Sequence, residues 1–170
     1  MPRRKSVKLR RIVKIPEEYL DTIPLCNLLF PSLFQIENGL RLAIHRHLTV
    51  CYGADWWNVS LKTRLSDIHK YAEDQEKKRG TMPWIGDSSR VTVIPLHLVT
   101  LGHLEVIVRN YQSDCIPQLF PTIEFFVGHM EAIKRVRNLF SHMFPCITKK
   151  DCNLAKREIL TLAEHINSRL

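Results

Sequence analysis

Apolar residues recur at helical spacing through most of this chain, and this periodicity limits the fold more than any other feature. Apolar positions three or four residues apart form one stripe along an α-helix. The pattern predicts five helices, over about residues 32–52, 61–78, 95–111, 121–144 and 152–168. Apart from a brief extended stretch at 90–94, strand signals are few. Long helices joined in series predict an all-α helical bundle.

Signals for helix ends support these boundaries. The pair Pro31–Ser32, followed by Gln35, predicts a capping box at the start of the first helix. Gly53 predicts its end, because glycine is favoured just after the last turn. Pro121 suits the first position of the fourth helix, and Asp151 is the expected cap of the fifth.

The connections and the size of the chain predict one folded unit. Residues 80–94 combine glycine, proline and serine, so they predict a long loop. The charged run 73–79 just before it is typical of a solvated helix tip. Trp56 and Trp57 follow the first helix and are expected to pack in the core. With 170 residues we expect one helical domain over 30–170 and an N-terminal extension over 1–29.

The net charge of +8 comes almost entirely from the N-terminus. Residues 1–14 contain seven Lys or Arg and no acid, which leaves 18 basic against 17 acidic residues for the rest of the chain. A basic arm of this kind adds salt-dependent, sequence-independent affinity for nucleic acid. A solvated tail has the same composition, so both interpretations stay open.

The remaining composition predicts a cytoplasmic protein without membrane partner, metal or cofactor. The five cysteines form no Cys-x-x-Cys, which favours reduced thiols. No apolar run is long enough to span a membrane, and no apolar segment follows the charged N-terminus as in a secretory signal. The histidines form no metal-ligand pattern, since His45 and His47 point apart on a helix, and no glycine-rich phosphate loop occurs.

Residues 137–142, which read Arg-Asn-Leu-Phe-Ser-His, place a cation and an imidazole near the end of the fourth predicted helix. The apolar stripe runs through Ile133 to Arg137, and a cation on such a stripe is costly unless it is paired. Asn138 and His142 are one turn apart. Arginine binds phosphate and histidine moves protons near neutral pH, so these residue types suffice to cleave RNA without a metal.

The same residues also have a purely structural interpretation. A histidine near a helix C-terminus is favoured by the helix dipole. Arg137 can equally pair with an acid on a neighbouring helix. The spacing alone does not distinguish these two interpretations.

The pattern Arg137-Asn138-x-x-x-His142, near the end of a late helix in an all-α chain, resembles the signature of the HEPN superfamily. Residues 36–41 and 52–57 resemble the first helix and its exit in the Swt-like and abortive-infection branch of that superfamily. Residues 98–105 resemble the opening of that branch's third helix. The likeness spans about residues 30–145, with its pieces in the family's order.

The resemblance implies an antiparallel four-helix bundle, here with an extra C-terminal helix, that forms a homodimer with both motifs at a shared cleft. It also implies a metal-independent endoribonuclease, in a toxin or phage-defence role, whose partners are RNA and an antitoxin or other regulator. Some relatives carry a tyrosine two residues beyond the histidine, which a partner nucleotidyltransferase modifies. Phe144 stands there, so that form of control is not expected.

The family also implies roles for individual residues. Arg137 would hold the scissile phosphate and stabilise its transition-state charge. His142 would act as general base or acid in attack by the ribose 2′-OH, giving a 2′,3′-cyclic phosphate. Asn138 would orient His142 or the phosphate. The supporting residues would be Glu37, Arg41, Lys134, Arg135 and Ser141.

Two other classes of function compete with this one. A HEPN-type bundle without catalytic activity could serve as a binding module for protein, nucleotide or RNA. A nucleic-acid binder dominated by residues 1–14 would bind without His142 but not without the arm.

Overall fold

The computed structural model describes residues 20–80, 94–142 and 148–168, and in these ranges the chain is all α. This confirms the predicted fold class. The helices are α1 (Thr22–Tyr52), α2 (Lys62–Arg64), α3 (Ser66–Gly80), α4 (Leu101–Asn110), α5 (Gln112–Cys115), α6 (Ile123–Ser141) and α7 (Lys149–Asn167). A π-helical turn, Trp57–Leu61, precedes α2, and a 3₁₀ turn, Pro95–Leu98, precedes α4. Within the described ranges, no helix is both long and apolar enough to cross a membrane.

Four helices, α1, α4, α6 and α7, enclose the core. The C-terminal helix α7 packs against α1 and α6, while α4 packs against α1 and α6. Helices α6 and α7 are antiparallel, because His129 bonds Glu158 while Phe125 contacts His165. The C-terminal helix, expected as an addition to the bundle, is thus one of these four. Helix α3 instead lies beside the 3₁₀ and π-helical turns.

Helix α1 begins ten residues earlier than its apparent capping box predicts. It starts at Thr22 and continues through Pro31, so the predicted start at Pro31–Ser32 is wrong. A proline inside a helix costs roughly 3 kcal/mol through a lost hydrogen bond and a steric clash. Leu29 and Leu33 are buried on either side of it, and their burial offsets that cost. Residues 22–29, assigned to the N-terminal extension, are the first turns of α1.

Three further boundaries differ from the sequence prediction. The helix expected over 61–78 is interrupted at Leu65, whose φ of −138° and ψ of 57° are not helical. The helix expected over 95–111 is divided by an extended residue, Val99, and α4 begins after Thr100, whose Oγ1 accepts a hydrogen bond from the His103 N–H. Thr148, not Asp151, caps α7, with Asp151 completing a capping box. Apolar periodicity continues across such breaks, so it does not reveal them.

The loop predicted over 80–94 lies almost entirely outside the described residues, as do the extended stretch at 90–93 and the proline that bounds the fourth helix. The basic arm over 1–14 also lies outside them. The described thiols, Cys26, Cys51, Cys115 and Cys152, form no disulfide. Burial raises the pKa of the Cys115 thiol to about 12, so it behaves as a small apolar core residue.

A carboxylate, Glu105, is buried where α4 meets α6. It accepts hydrogen bonds from Lys134 on α6 and, at 3.0 Å, from Arg109 one turn along α4. Burial by itself raises the pKa of Glu105, but the bonds from the two cations outweigh burial and bring the pKa below its ordinary value. The charge therefore ties α4 to α6 across the core.

Replacing Glu105 with Gln is expected to lower the free energy of unfolding by about 2 kcal/mol near neutral pH, because both cations lose their charged acceptor. The depressed folded-state pKa means that this contribution is complete above the unfolded pKa and is lost as pH falls through the folded value. The difference between parent and E105Q should therefore shrink below about pH 4. Urea unfolding at several pH values measures this.

The matched control is Glu131→Gln, because Glu131 is exposed on α6. Its effect should stay within about 0.5 kcal/mol at every pH. An E105Q difference that does not change with pH would contradict the assignment of this stabilising charge.

Candidate functional site

The apolar stripe of α6 ends just before the motif residues. Phe126, Met130, Ile133 and Val136 are buried, whereas Arg137 is half-buried. Arg137 was predicted to lie on the core-facing stripe. It lies on that side of the helix, but its side chain is not buried. Arg137 lies one turn beyond Ile133 on the same side of the helix, at the edge of the core.

Arg137 lines an open cleft of about 270 Å³ between α6, α1, α3 and the segment that leads into α4. We call it the cationic cleft. The charged and histidine side chains that line it are Glu37, Arg41, Lys78, Arg79, His97 and Arg137. Four permanent cations thus surround one carboxylate. Such a concentration of positive charge attracts phosphate groups.

The pair formed by Glu37 and Arg41 is the buried side of this cleft. The Arg41 side chain is only 9% exposed and lies 2.5 Å from the Glu37 carboxylate. Its Nε donates to the carbonyl of Leu96 at 2.8 Å, and its Nη2 donates to the carbonyl of Val99 at 3.0 Å. The guanidinium therefore holds the 3₁₀ turn against α1. Arg41 shapes the cleft, and its charge is already balanced by Glu37.

The other cations of the cleft differ in how far they are neutralised. Arg79 forms an ion pair with Glu76 on its own helix. Arg137 shows no side-chain hydrogen bond or ion pair to another residue of the described ranges. Among the arginines of the cleft, Arg137 is thus the one whose charge the described residues leave unbalanced.

His97 adds an imidazole to the cleft. Burial, then the charge of Arg41, then His45, lowers the pKa of His97 below its ordinary value. Its Nδ1 lies 3.2 Å from the Ile94 N–H and accepts from it. A neutral ring that accepts at Nδ1 carries its hydrogen on Nε2. His97 is therefore a neutral hydrogen-bond donor near physiological pH.

The remaining predicted residues lie elsewhere. Asn138, Ser141 and His142 are exposed, and the Ser141 hydroxyl donates to the Arg137 carbonyl at 2.8 Å. Lys134 forms an ion pair with Glu105, so its charge is already neutralised and it is not available to bind the RNA backbone as predicted. Arg135 is exposed and close to Asp151.

Arg137 and His142 do not converge within one chain. Five helical residues turn the direction of a side chain by about 140°. The backbone N–H of His142 still bonds the Asn138 carbonyl at 3.0 Å, so this helical count applies up to His142. The cleft is lined by Arg137 but not by His142. One copy of the chain therefore brings together Arg137, Glu37 and Arg41, and leaves His142 outside.

Sequence reasoning missed the contribution of α3 to the cleft. Lys78 and Arg79 stand in a charged run that looks like a solvated helix tip, but both line the cleft. His97 belongs to no histidine motif in the sequence, yet it also lines the cleft. No periodic or motif signal marks these residues, because their neighbours in the cleft come from distant parts of the chain.

No protein-family model, no curated protein and no solved structure matches this chain. The cleft is therefore interpreted from its own side chains. Across residues 20–80, 94–142 and 148–168, no three His, Cys, Asp or Glu side chains gather in a way that could hold a metal ion.

Replacing Arg41 with Lys is expected to lower the free energy of unfolding by about 2 kcal/mol, because lysine cannot donate to two carbonyls and a carboxylate with one planar fork. Urea unfolding gives the value. Arg46→Lys is the matched control, since Arg46 is exposed on the same helix. If the two variants prove equally stable, Arg41 does not hold the 3₁₀ turn.

Proposed function

We propose that the protein is a metal-independent endoribonuclease of the HEPN type that binds the RNA backbone in the cationic cleft. We further propose that it acts in the cytoplasm as a toxin or phage-defence effector, controlled by an antitoxin or other regulatory partner. The observation that carries the proposal is the position of Arg137 in a cleft with three further cations. Arg137 is half-buried, and no acidic side chain of the described residues neutralises its charge. The resemblance of residues 137–142 to the family signature supports the same assignment.

A phosphodiester is the ligand that best fits these charges. Arginine presents a planar fork of donors that binds two phosphate oxygens at once. Arg137 is placed to make this contact, and Lys78 and Arg79 line the same cleft. The neutral His97 can donate a further hydrogen bond without adding charge. These groups would stabilise charge that develops on the phosphate during cleavage.

The proposed reaction is attack by the ribose 2′-OH on the adjacent phosphorus. His142 takes the proton of the hydroxyl as general base while the bond between O2′ and phosphorus forms. The bond between phosphorus and O5′ breaks, and O5′ takes a proton from water. The products are a 2′,3′-cyclic phosphate and a 5′-hydroxyl. The need for a 2′-OH selects RNA over DNA.

A second copy of the chain is required to complete this site. Arg137 lines the cleft and His142 does not, so one copy does not bring the cation and the base together in the cleft. In a symmetric dimer, the end of α6 from each copy can face the cleft of the other. His142 of one copy would then act beside Arg137 of its partner, with Asn138 orienting the imidazole.

Replacing Arg137 with Ala should weaken binding of a single-stranded RNA and reduce the slope of log affinity against log salt by about 1, because one phosphate contact is lost. Fluorescence anisotropy at several salt concentrations measures both quantities. Arg46→Ala removes an exposed cation that does not line the cleft, and should change neither. Equal losses in the two variants would contradict the cleft as the binding site.

Cleavage tests the catalytic assignment. In EDTA the parent should convert RNA to products with cyclic-phosphate ends, whereas Arg137→Ala and His142→Ala should each lose activity by at least about 100-fold. An equimolar mixture of the two inactive variants should recover roughly a quarter of the parent activity, because half of randomly exchanged dimers contain one intact site.

Equal cleavage by all three proteins, or by none, would overturn the enzyme assignment. Activity of the parent without recovery in the mixture, when subunit exchange has been verified, would place Arg137 and His142 in the same copy. Each result is read on protein whose circular dichroism matches that of the parent.

A non-catalytic binding module is the second candidate. It is favoured by the absence of His142 from the walls of the cleft, which leaves an anion site without that general base. This candidate predicts RNA or nucleotide binding that depends on Arg137 and is unaffected by His142→Ala, with no cleavage. Binding that instead requires residues 1–14 and not Arg137 would identify the basic arm as the principal contact.

A further inference from the structure

A second and larger cavity adjoins the cationic cleft. Its volume is about 540 Å³, within the range of about 300–1,000 Å³ that is usual for small-molecule sites. We call it the indole pocket, after Trp57 in its wall. Leu98 and Arg79 line both cavities. A ligand whose phosphate lies in the cationic cleft can therefore extend directly into the indole pocket.

The indole pocket has apolar and polar walls. Trp57, Ala72 and Ile94 supply apolar surface, and all three are buried. The polar groups are Asn58, His69, Glu73, the ion pair between Glu76 and Arg79, and Lys77, which pairs with Asp74 at 3.4 Å. Aromatic and apolar walls with a few fixed polar groups suit a flat, hydrogen-bonding ring system.

A chain of hydrogen bonds fixes the inner polar groups. The Asn58 Nδ2 donates to Asp55 at 2.6 Å, which leaves its Oδ1 to face the His69 Nε2 at 3.1 Å. His69 is 4% exposed, and its ring lies 5.7 Å from the Trp57 ring. The hydrogen bond between Asn58 and His69 therefore fixes both side chains in the wall of the pocket.

Glu73 is the acceptor in the pocket that retains bonding capacity. Its Oε1 lies 3.6 Å from the His69 Nδ1, which is longer than a hydrogen bond. Its side chain is 52% exposed, while Glu76 is held by Arg79. A carboxylate has about four lone-pair positions, so Glu73 can accept hydrogen bonds from a ligand.

We propose that the indole pocket binds a nucleobase that carries an exocyclic amino group, with Glu73 as its acceptor. The inference rests on the proposed function, because it places the base of a nucleotide whose phosphate occupies the cationic cleft. Guanine, adenine and cytosine present an exocyclic amino group on their base-pairing edge, whereas uracil presents one N3–H between two carbonyl oxygens. The carboxylate accepts from the amino group of the first three bases, and it binds uracil less well because both carbonyls beside N3–H repel it. The pocket thus makes the RNA site selective against uridine.

The test compares four nucleoside monophosphates on the full-length protein by isothermal titration calorimetry. GMP, AMP and CMP should bind at least about tenfold more tightly than UMP, which corresponds to one charged hydrogen bond gained or lost. Glu73→Gln should invert this order for UMP, because the glutamine amide can donate to a uracil carbonyl. A gain of UMP affinity in the variant cannot arise from damage to the fold.

Asp67→Asn is the matched control. It makes the same change of charge on the same helix, α3, at an exposed residue that does not line the pocket. The control should keep the preference of the parent. Equal affinity for all four nucleotides in the parent, or the same effect of E73Q and D67N, would overturn the proposal.

Inorganic phosphate and RNA cleavage separate this inference from the proposed function. If RNA is cleaved and phosphate binding depends on Arg137, but the four nucleotides bind alike, then the base pocket is wrong and the ribonuclease assignment stands. If the parent discriminates among the nucleotides and E73Q does not, the base pocket is supported. If the parent at the same time cleaves no RNA, the catalytic assignment is wrong.

Discussion

The contacts of Arg41 are those on which the rest of the site depends. One guanidinium on α1 binds two backbone carbonyls, of Leu96 and Val99, and a carboxylate one turn away. These bonds fix the 3₁₀ turn and the entry to α4 against the core. A buried charge is tolerated here because its Nε and Nη2 donate to two carbonyls and a carboxylate. Without this anchor, both the cationic cleft and the indole pocket would lose a wall.

The two cavities share the same supports. Both are lined by residues of the segment from Ile94 to Thr100 and by residues of α3. Helix α3 lies outside the four core helices, so its charged end is free to serve as a wall instead of packing in the core. Arg79 lines both cavities. In the proposed site, the cationic cleft supplies positive charge and the indole pocket supplies an aromatic wall.

Much of the local structure follows from the order of residues. The stripes containing Leu40, Ile68, Leu104 and Met130 all face the core, because apolar spacing at three and four residues leaves one buried side per helix. Trp56 and Trp57 are buried as expected. The predicted start of α1 is wrong because Ser32 resembles an N-cap residue in the sequence. In the structure, burial of Leu29 and Leu33 favours a helix that continues through Pro31. For the candidate site, sequence identified Arg137 and the pair Glu37 and Arg41, and it missed Lys78, Arg79 and His97.

The sequence by itself determined the all-α class, the helical stripes and the motif at the end of α6, since each depends on residues within a few positions of one another. Tertiary structure decided which charges meet. Arg137, Arg41 and Arg79 come from three helices far apart in the chain, and their shared cleft follows from how those helices pack. It also decided that Arg137 lines this cleft and His142 does not, because the cleft forms where other helices pack beside Arg137.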